Sequence, residues 1–141
     1  MTALEFKQGD AMWLKLRKRA LSDLYWFSSV VLGYTNLFAM EPETHTIPLR
    51  FLERKTGVAD LDSAPMQLIL WPRETGKSYC GLVANSIQMA CANPNMAILI
   101  ANEKHQNSMD FLRAIKHHFE TNELLRALFP EVITPEFKDV E

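Results

Sequence analysis

The chain has 141 residues, 48% of them apolar, and a formal net charge of −2. This composition suffices for one hydrophobic core, because a domain of about 150 residues buries roughly 70% of its unfolded surface. The charge balance excludes a global electrostatic attraction to nucleic acid, so a nucleic-acid contact would need a local basic patch.

Cysteine usage and hydropathy favour a soluble, intracellular protein. Cys80 and Cys91 fall on one predicted helix, too far apart for a disulfide, and we expect both to be buried thiols. The uncharged run Leu24–Met40 is shorter than the ~20 residues of a membrane span and contains several polar residues. Glu5 and Asp10 stand where a signal peptide would be basic and then apolar.

Residues 1–60 are predicted to form an N-terminal helical segment. Apolar side chains recur there at helical spacing, and turn residues separate the apolar runs. The predicted helices are Phe6–Ala20, a second one capped by Ser22 and ended by Gly33, and Thr46–Lys55 with Pro48 in its first turn.

Residues 61–141 show the pattern of an α/β fold. Met66–Trp71 reads as a buried strand, Ser78–Cys91 as an amphipathic helix, and Met96–Ala101 as a second strand. This order and spacing are typical of a βαβ unit of ~30 residues with a parallel sheet. We expect two more helices, over Ser108–Phe119 and around Leu124–Phe129. We also expect Asn102, Glu103 and Lys104 to lie at the ligand-binding edge of the sheet.

The turn between the first predicted strand and its helix ends in Gly76-Lys77-Ser78. Unpaired backbone N–H groups and the helix dipole make a helix start a favourable site for an anion. Lys77 would add a positive charge for the terminal phosphates, and Ser78 would add a hydroxyl of the kind that ligates Mg²⁺. The pattern predicts binding of a nucleotide phosphate with Mg²⁺.

The generic phosphate-loop motif is incomplete in this chain. Its first glycine would fall at Trp71, so the strict G-x-x-x-x-G-K-[ST] pattern fails. An ordinary strand-to-helix turn with a surface lysine remains the alternative interpretation.

The segment Trp71-Pro-Arg-Glu-Thr-Gly-Lys-Ser78 resembles the deviant phosphate loop of bacteriophage terminase large subunits, which lacks the first glycine and reads R-x-x-G-K-[ST]. Less specific similarities extend over about residues 20–132. They cover the N-terminal helical segment of the family and its second strand with the following helices: Leu21–Leu32, Thr44-His45, Leu49–Leu52, Met96–Asn102, Ser108–Phe119 and Asn122–Pro130. The resemblance implies the incomplete start of a P-loop NTPase sheet in an ATPase that packages viral DNA.

This resemblance implies roles for individual residues. Lys77 would contact the β- and γ-phosphates, and Arg73 would sense or stabilise the γ-phosphate; these two are the candidate catalytic residues. Ser78 would ligate Mg²⁺. An ion pair with Glu74 is the alternative for Arg73.

The remaining candidate residues for binding ATP are Pro72, Glu74, Thr75, Gly76 and His45. A carboxylate beside a triphosphate repels it, so we expect the Glu74 side chain to point away and only its backbone N–H to help. His45, together with Arg50, lies where the family places its adenine-contacting segment, and either side chain could stack on a purine.

The segment after Val132 offers no apolar strand that ends in an Asp and a catalytic Glu, and the carboxylates of a nuclease domain are not identifiable. We therefore expect only part of a terminase large subunit, with unpaired sheet edges, and poor or no ATP hydrolysis by the isolated chain. Partners implied by the resemblance are double-stranded DNA, the portal protein, the small terminase subunit and further copies of the chain, in the cytoplasm of the bacterial host. Another P-loop ATPase or kinase fragment and a non-enzymatic interaction protein are the alternatives.

Overall fold

The computed structural model describes residues 6–133, and every regular element in that range is a helix. The α-helices are α1 (Ala11–Ser22), α2 (Leu24–Trp26), α3 (Pro42–Leu52), α4 (Ala59–Asp62), α5 (Asn85–Ala92), α6 (His105–Thr121) and α7 (Glu123–Leu128). Two π-helical segments continue or precede them: Phe27–Val31 extends α2, and Ser78–Ala84 leads into α5. Short 3-10 turns occupy Tyr34–Asn36 and Pro130–Val132.

The predicted α/β fold is wrong for the part of the chain that is described. Residues 6–133 contain no β-strand and therefore no parallel sheet of the P-loop type. The segments Met66–Trp71 and Met96–Ala101, which the sequence suggested as strands, form no backbone ladder with each other.

The pattern of exposure explains why the sequence suggested a strand. Met66, Leu68 and Leu70 are 86%, 78% and 86% exposed, whereas the alternate residues of the same segment are half-buried. This two-residue alternation matches an extended backbone with one face on the protein. The prediction of a buried strand over Met66–Trp71 is therefore wrong, since the segment is neither buried on both faces nor paired with a second strand among the described residues.

The core is built from helices contributed by both predicted parts of the chain. α1 packs on α5 and α7, while the π-helical segment Ser78–Ala84 packs on α2, α3 and α6. The largest fully buried apolar side chains are Leu24, Phe27, Tyr34, Leu49, Ile87, Leu125, Leu128 and Phe129. Cys80 and Cys91 are buried and free as predicted, and burial raises their pKa values to about 11 and about 12.

Capping side chains set two of the helix starts. Asp10 caps α1 by accepting the Trp13 N–H at 2.7 Å, and Asp23 caps α2 by accepting the Trp26 N–H at 2.9 Å. The predicted cap at Ser22 is thus wrong by one residue. Gly33, at φ +71°, follows the end of the second helix, as expected.

Helix α3 begins earlier than predicted, because Pro42 occupies its first turn. Pro48 lies inside the helix and not in the first turn, which contradicts the sequence-based expectation. The early start matters for function, since it places His45 on the second turn of α3, facing the loop that precedes Ser78.

Candidate functional site

The loop Pro72–Ser78, here called the phosphate loop, joins the extended segment ending at Trp71 to the π-helical segment. Two of its residues adopt left-handed backbone conformations, Glu74 at φ +65° and Gly76 at φ +70°. Thr75 Oγ1 donates to the Pro72 carbonyl at 2.8 Å and closes the turn. The left-handed residues reverse the chain within a few residues and direct it into the helix.

The amides at the end of the loop are available to a ligand. The first helical hydrogen bond runs from the Cys80 N–H to the Gly76 carbonyl at 2.8 Å. No acceptor within residues 6–133 pairs with the backbone N–H groups of Gly76, Lys77, Ser78 or Tyr79. These donors lie at the start of a helix, where the dipole attracts negative charge.

Lys77 and Ser78 are both exposed beside these amides. Lys77 folds back so that its Nζ donates to the Trp71 carbonyl at 2.9 Å. The Ser78 hydroxyl has no hydrogen-bond partner among the described residues. An ammonium, a hydroxyl and several N–H groups thus surround the same corner of the chain.

Arg73 and Glu74 are exposed on the outside of the loop. No ion pair joins them in the described part of the chain, so the structure does not support the alternative in which Glu74 engages Arg73. The Arg73 guanidinium faces solvent. That the Glu74 carboxylate turns away from a bound phosphate stays a prediction.

His45 approaches the loop from the protein interior. Its side chain is only 2% exposed, and its Nε2 lies 3.0 Å from the Thr75 carbonyl oxygen. Its Nδ1 lies 3.1 Å from the Glu41 nitrogen and 2.9 Å from the Glu41 carbonyl oxygen. The ring also meets Trp71 edge-on at a centroid separation of 5.2 Å. Both ring nitrogens are therefore engaged by the protein itself.

Arg50, the other residue suggested for adenine, lies elsewhere. It lines a separate cavity of about 420 Å³ between α1, α2 and α3, together with Arg19, Tyr25 and Lys55. No residue of the phosphate loop lines that cavity. The structure therefore brings His45, but not Arg50, to the loop.

Phe38 is a site residue that the sequence analysis missed. A Cβ atom added to Gly76 would lie 2.2 Å from Phe38 Cε2, so the aromatic ring packs directly on the glycine. Tyr34, His45 and Tyr79 surround the ring at centroid separations of 6.1 to 6.2 Å. Nothing in the sequence around Phe38 signals this contact, because it joins segments far apart in the chain.

A cavity of about 300 Å³ adjoins the exposed side of the loop. Lys77 and Ser78 line it, and Asn102 reaches it from the segment before α6. The sheet edge that was expected to place Asn102, Glu103 and Lys104 beside a ligand is absent from residues 6–133, and neither Glu103 nor Lys104 lines the cavity. The other lining residues are Leu52, Gln67, Ile69, Gly81, Leu82 and Phe111. The cavity leaves room for a ligand beside the free amides.

The donor set is compatible with a phosphate-bound Mg²⁺ ion. In residues 6–133 no three His, Cys, Asp or Glu side chains are grouped closely enough to hold a metal alone. Mg²⁺ commonly takes one or two protein oxygens and completes its shell with phosphate oxygens and water. The exposed Ser78 hydroxyl can supply one such oxygen.

Comparison with protein families, curated proteins and solved structures finds no match to this chain. Among the helices of residues 6–133, none combines the length and the hydropathy needed to traverse a lipid bilayer.

Proposed function

We propose that the phosphate loop binds the triphosphate of ATP together with Mg²⁺. The observation that carries the proposal is the junction at Gly76-Lys77-Ser78, where unpaired N–H groups, an ammonium and a free hydroxyl meet at a helix start. The Arg-x-x-Gly-Lys-Ser pattern of the loop, which resembles that of terminase large subunits, supports it further.

Binding requires a rearrangement of Lys77. Its Nζ bonds a neutral carbonyl in the free chain, and a triphosphate offers a more strongly charged acceptor. Transfer of the ammonium from the Trp71 carbonyl to the phosphates releases the start of the loop. Arg73 faces solvent in the same turn and can swing onto the terminal phosphate without breaking an ion pair.

In this proposal the chain is the ATP-binding part of a viral DNA-packaging motor. A complete motor of this type transfers the γ-phosphoryl group to water, a reaction that depends on positioning and charge stabilisation. The isolated chain binds ATP but hydrolyses it poorly. Its proposed partners are double-stranded DNA, the portal protein and the small terminase subunit, in the host cytoplasm.

Calorimetric titration of Mg·ATP into the wild type and the Lys77→Ala variant tests the proposal. Loss of the ammonium should weaken binding at least tenfold, since a charge-assisted hydrogen bond contributes about 1.5–3 kcal/mol and tenfold corresponds to about 1.4 kcal/mol. Lys104→Ala removes an exposed lysine that does not line the cavity beside the loop, and it should bind as the wild type does. Equal affinity of the wild type and Lys77→Ala would contradict the assignment.

A non-enzymatic interaction protein is the second candidate, favoured by the exposed apolar residues Met66, Leu68, Leu70 and Leu99. If the chain has this function, it should self-associate or bind a partner, and Leu68→Lys should abolish that association. The chain should then show no affinity for Mg·ATP. Light scattering over a concentration series, combined with the ATP titration, separates the two candidates.

A further inference from the structure

We infer that His45 is a positioning residue that orients the Thr75–Gly76 peptide for phosphate binding. The inference rests on the proposed function and deepens it, because it holds that a side chain on α3 fixes the direction of one N–H group that binds phosphate. The sequence suggested a different role, stacking on adenine, for the same histidine.

The first step in the argument is the geometry of the peptide bond. The C=O and N–H of a trans peptide point in opposite directions, and the structure has no cis peptide among the described residues. His45 holds the Thr75 oxygen from the interior at 3.0 Å. The N–H of Gly76 belongs to the same peptide and must therefore point away from His45.

The second step is the hydrogen-bond chemistry of the ring. A carbonyl oxygen can only accept, so Nε2 must carry the proton in the bond to Thr75. In a neutral ring Nδ1 is then an acceptor: the Glu41 N–H at 3.1 Å matches it, whereas the Glu41 carbonyl oxygen at 2.9 Å matches a proton on Nδ1. The contacts of Nδ1 with Glu41 therefore fit either tautomer, and it is the contact of Nε2 with the Thr75 oxygen that requires a proton on Nε2.

The third step is burial. The His45 ring is 2% exposed, and loss of its N–H would leave the Thr75 carbonyl without that donor and free to turn. Gly76 has no side chain to resist such a rotation, and its φ of +70° lies in a region open to several peptide orientations. The Phe38 ring packs on Gly76 and limits its movement, but it forms no hydrogen bond that fixes the peptide plane.

The first experiment measures the tautomer in the wild-type chain. Nitrogen-15 NMR of the histidine rings at neutral pH should show His45 protonated at Nε2, with a through-bond coupling from that N–H to the Thr75 carbonyl carbon. A His45 ring that is protonated only at Nδ1 would overturn the inference, because such a ring cannot donate to Thr75. The measurement needs no variant and so does not depend on one that folds.

The second experiment compares His45→Phe and His45→Gln in the Mg·ATP titration. Phenylalanine keeps a ring against Trp71 but removes the donor, so binding should weaken about tenfold, the effect of one lost hydrogen bond of about 1.4 kcal/mol. Glutamine places an amide N–H near the position of Nε2 and should recover most of the affinity. Thr44→Ala, an exposed position on the same helix, is the matched control.

Failure of the inference and failure of the proposed function give different results. If Lys77→Ala weakens binding while a folded His45→Phe binds as the wild type does, the positioning role is refuted and the ATP site stands. If Lys77→Ala also binds as the wild type does, the proposed site itself is refuted. If His45→Phe and His45→Gln lose the same affinity for Mg·ATP, the loop requires the packing of the histidine ring and not its donated hydrogen bond. That result would also overturn the inference.

Discussion

Replacing Gly76 by alanine should destabilise the protein for two separable reasons. At φ +70° an L-residue in the left-handed region costs about 1–2 kcal/mol, partly offset by the reduced entropy of the unfolded chain. The added Cβ would also lie 2.2 and 2.3 Å from Phe38 Cε2 and Cζ. The ring must move by about 1.5 Å to restore ordinary contact, and overpacking of this kind costs about 1–3 kcal/mol. We expect a total loss of about 2–4 kcal/mol.

Gly57 offers a matched control. It has a similar φ of +81°, but a Cβ there would meet no atom within 4 Å. Gly57→Ala should therefore show only the backbone cost, about 1 kcal/mol. The difference between the two variants isolates the contact with Phe38.

Urea unfolding followed by circular dichroism gives both free energies of unfolding. Adding Phe38→Leu to Gly76→Ala should recover part of the loss, a coupling that a double-mutant cycle measures. If Gly76→Ala and Gly57→Ala are destabilised by the same amount within about 0.5 kcal/mol, the packing of Phe38 on the phosphate loop is refuted.

Three further outcomes follow from the fold. Ile87→Ala should lower the free energy of unfolding by about 2–5 kcal/mol because the side chain is fully buried. Leu70→Ala should change it by less than about 0.5 kcal/mol because the side chain is exposed. A large loss of stability in Leu70→Ala would instead support a buried strand at this segment. Burial lowers the pKa of His118, so the unfolded state binds a proton at this ring more readily than the folded state does, and stability should fall as the pH drops below the ordinary pKa of 6.5. Urea titrations at several pH values should show a smaller fall in the free energy of unfolding for His118→Phe than for the wild type. Equal falls in the two proteins would contradict this prediction. Arg17→Lys should lower the free energy of unfolding by about 1 kcal/mol, because lysine keeps the charge but loses the two hydrogen bonds to Glu131 and the stacking on aromatic rings. A thermal unfolding midpoint equal to that of the wild type would argue against these contacts.

Local chemistry made the helices predictable. The Ser78–Cys91 helix was expected from its apolar spacing, and the described structure has continuous helix over nearly the same range. Gly33 was expected to end the second helix because it tolerates left-handed backbone, and it does so. The caps were less certain, since Ser22 and Asp23 are adjacent and both side chains can accept an N–H.

The strands could not be decided from local pattern. A run such as Met66–Trp71 is apolar and uncharged, which fits a buried parallel strand and also an extended segment with one face on the protein. The difference depends on whether another segment supplies a ladder of hydrogen bonds, which is a property of distant residues. The described residues supply none, so the prediction of a sheet was wrong.

In the candidate site, too, local features could be predicted from the sequence, whereas contacts between distant segments could not. Gly76-Lys77-Ser78 singled out the loop that we propose binds phosphate, because a tight turn, a charge and a hydroxyl are local features of the sequence. The ring of Phe38 on Gly76 and the bond from His45 to Thr75 are tertiary contacts with no sequence signal. The identity of His45 as a residue near the loop was predicted, but its contact with the backbone was not.

The most direct test of the central claim is to follow the backbone amide signals of Gly76, Lys77 and Ser78 by NMR during titration with Mg·ATP. We predict saturable shifts at these amides in the wild type, greatly weakened in Lys77→Ala. Unchanged signals at saturating ATP, or shifts confined to other parts of the chain, would contradict the claim that this helix start binds the triphosphate.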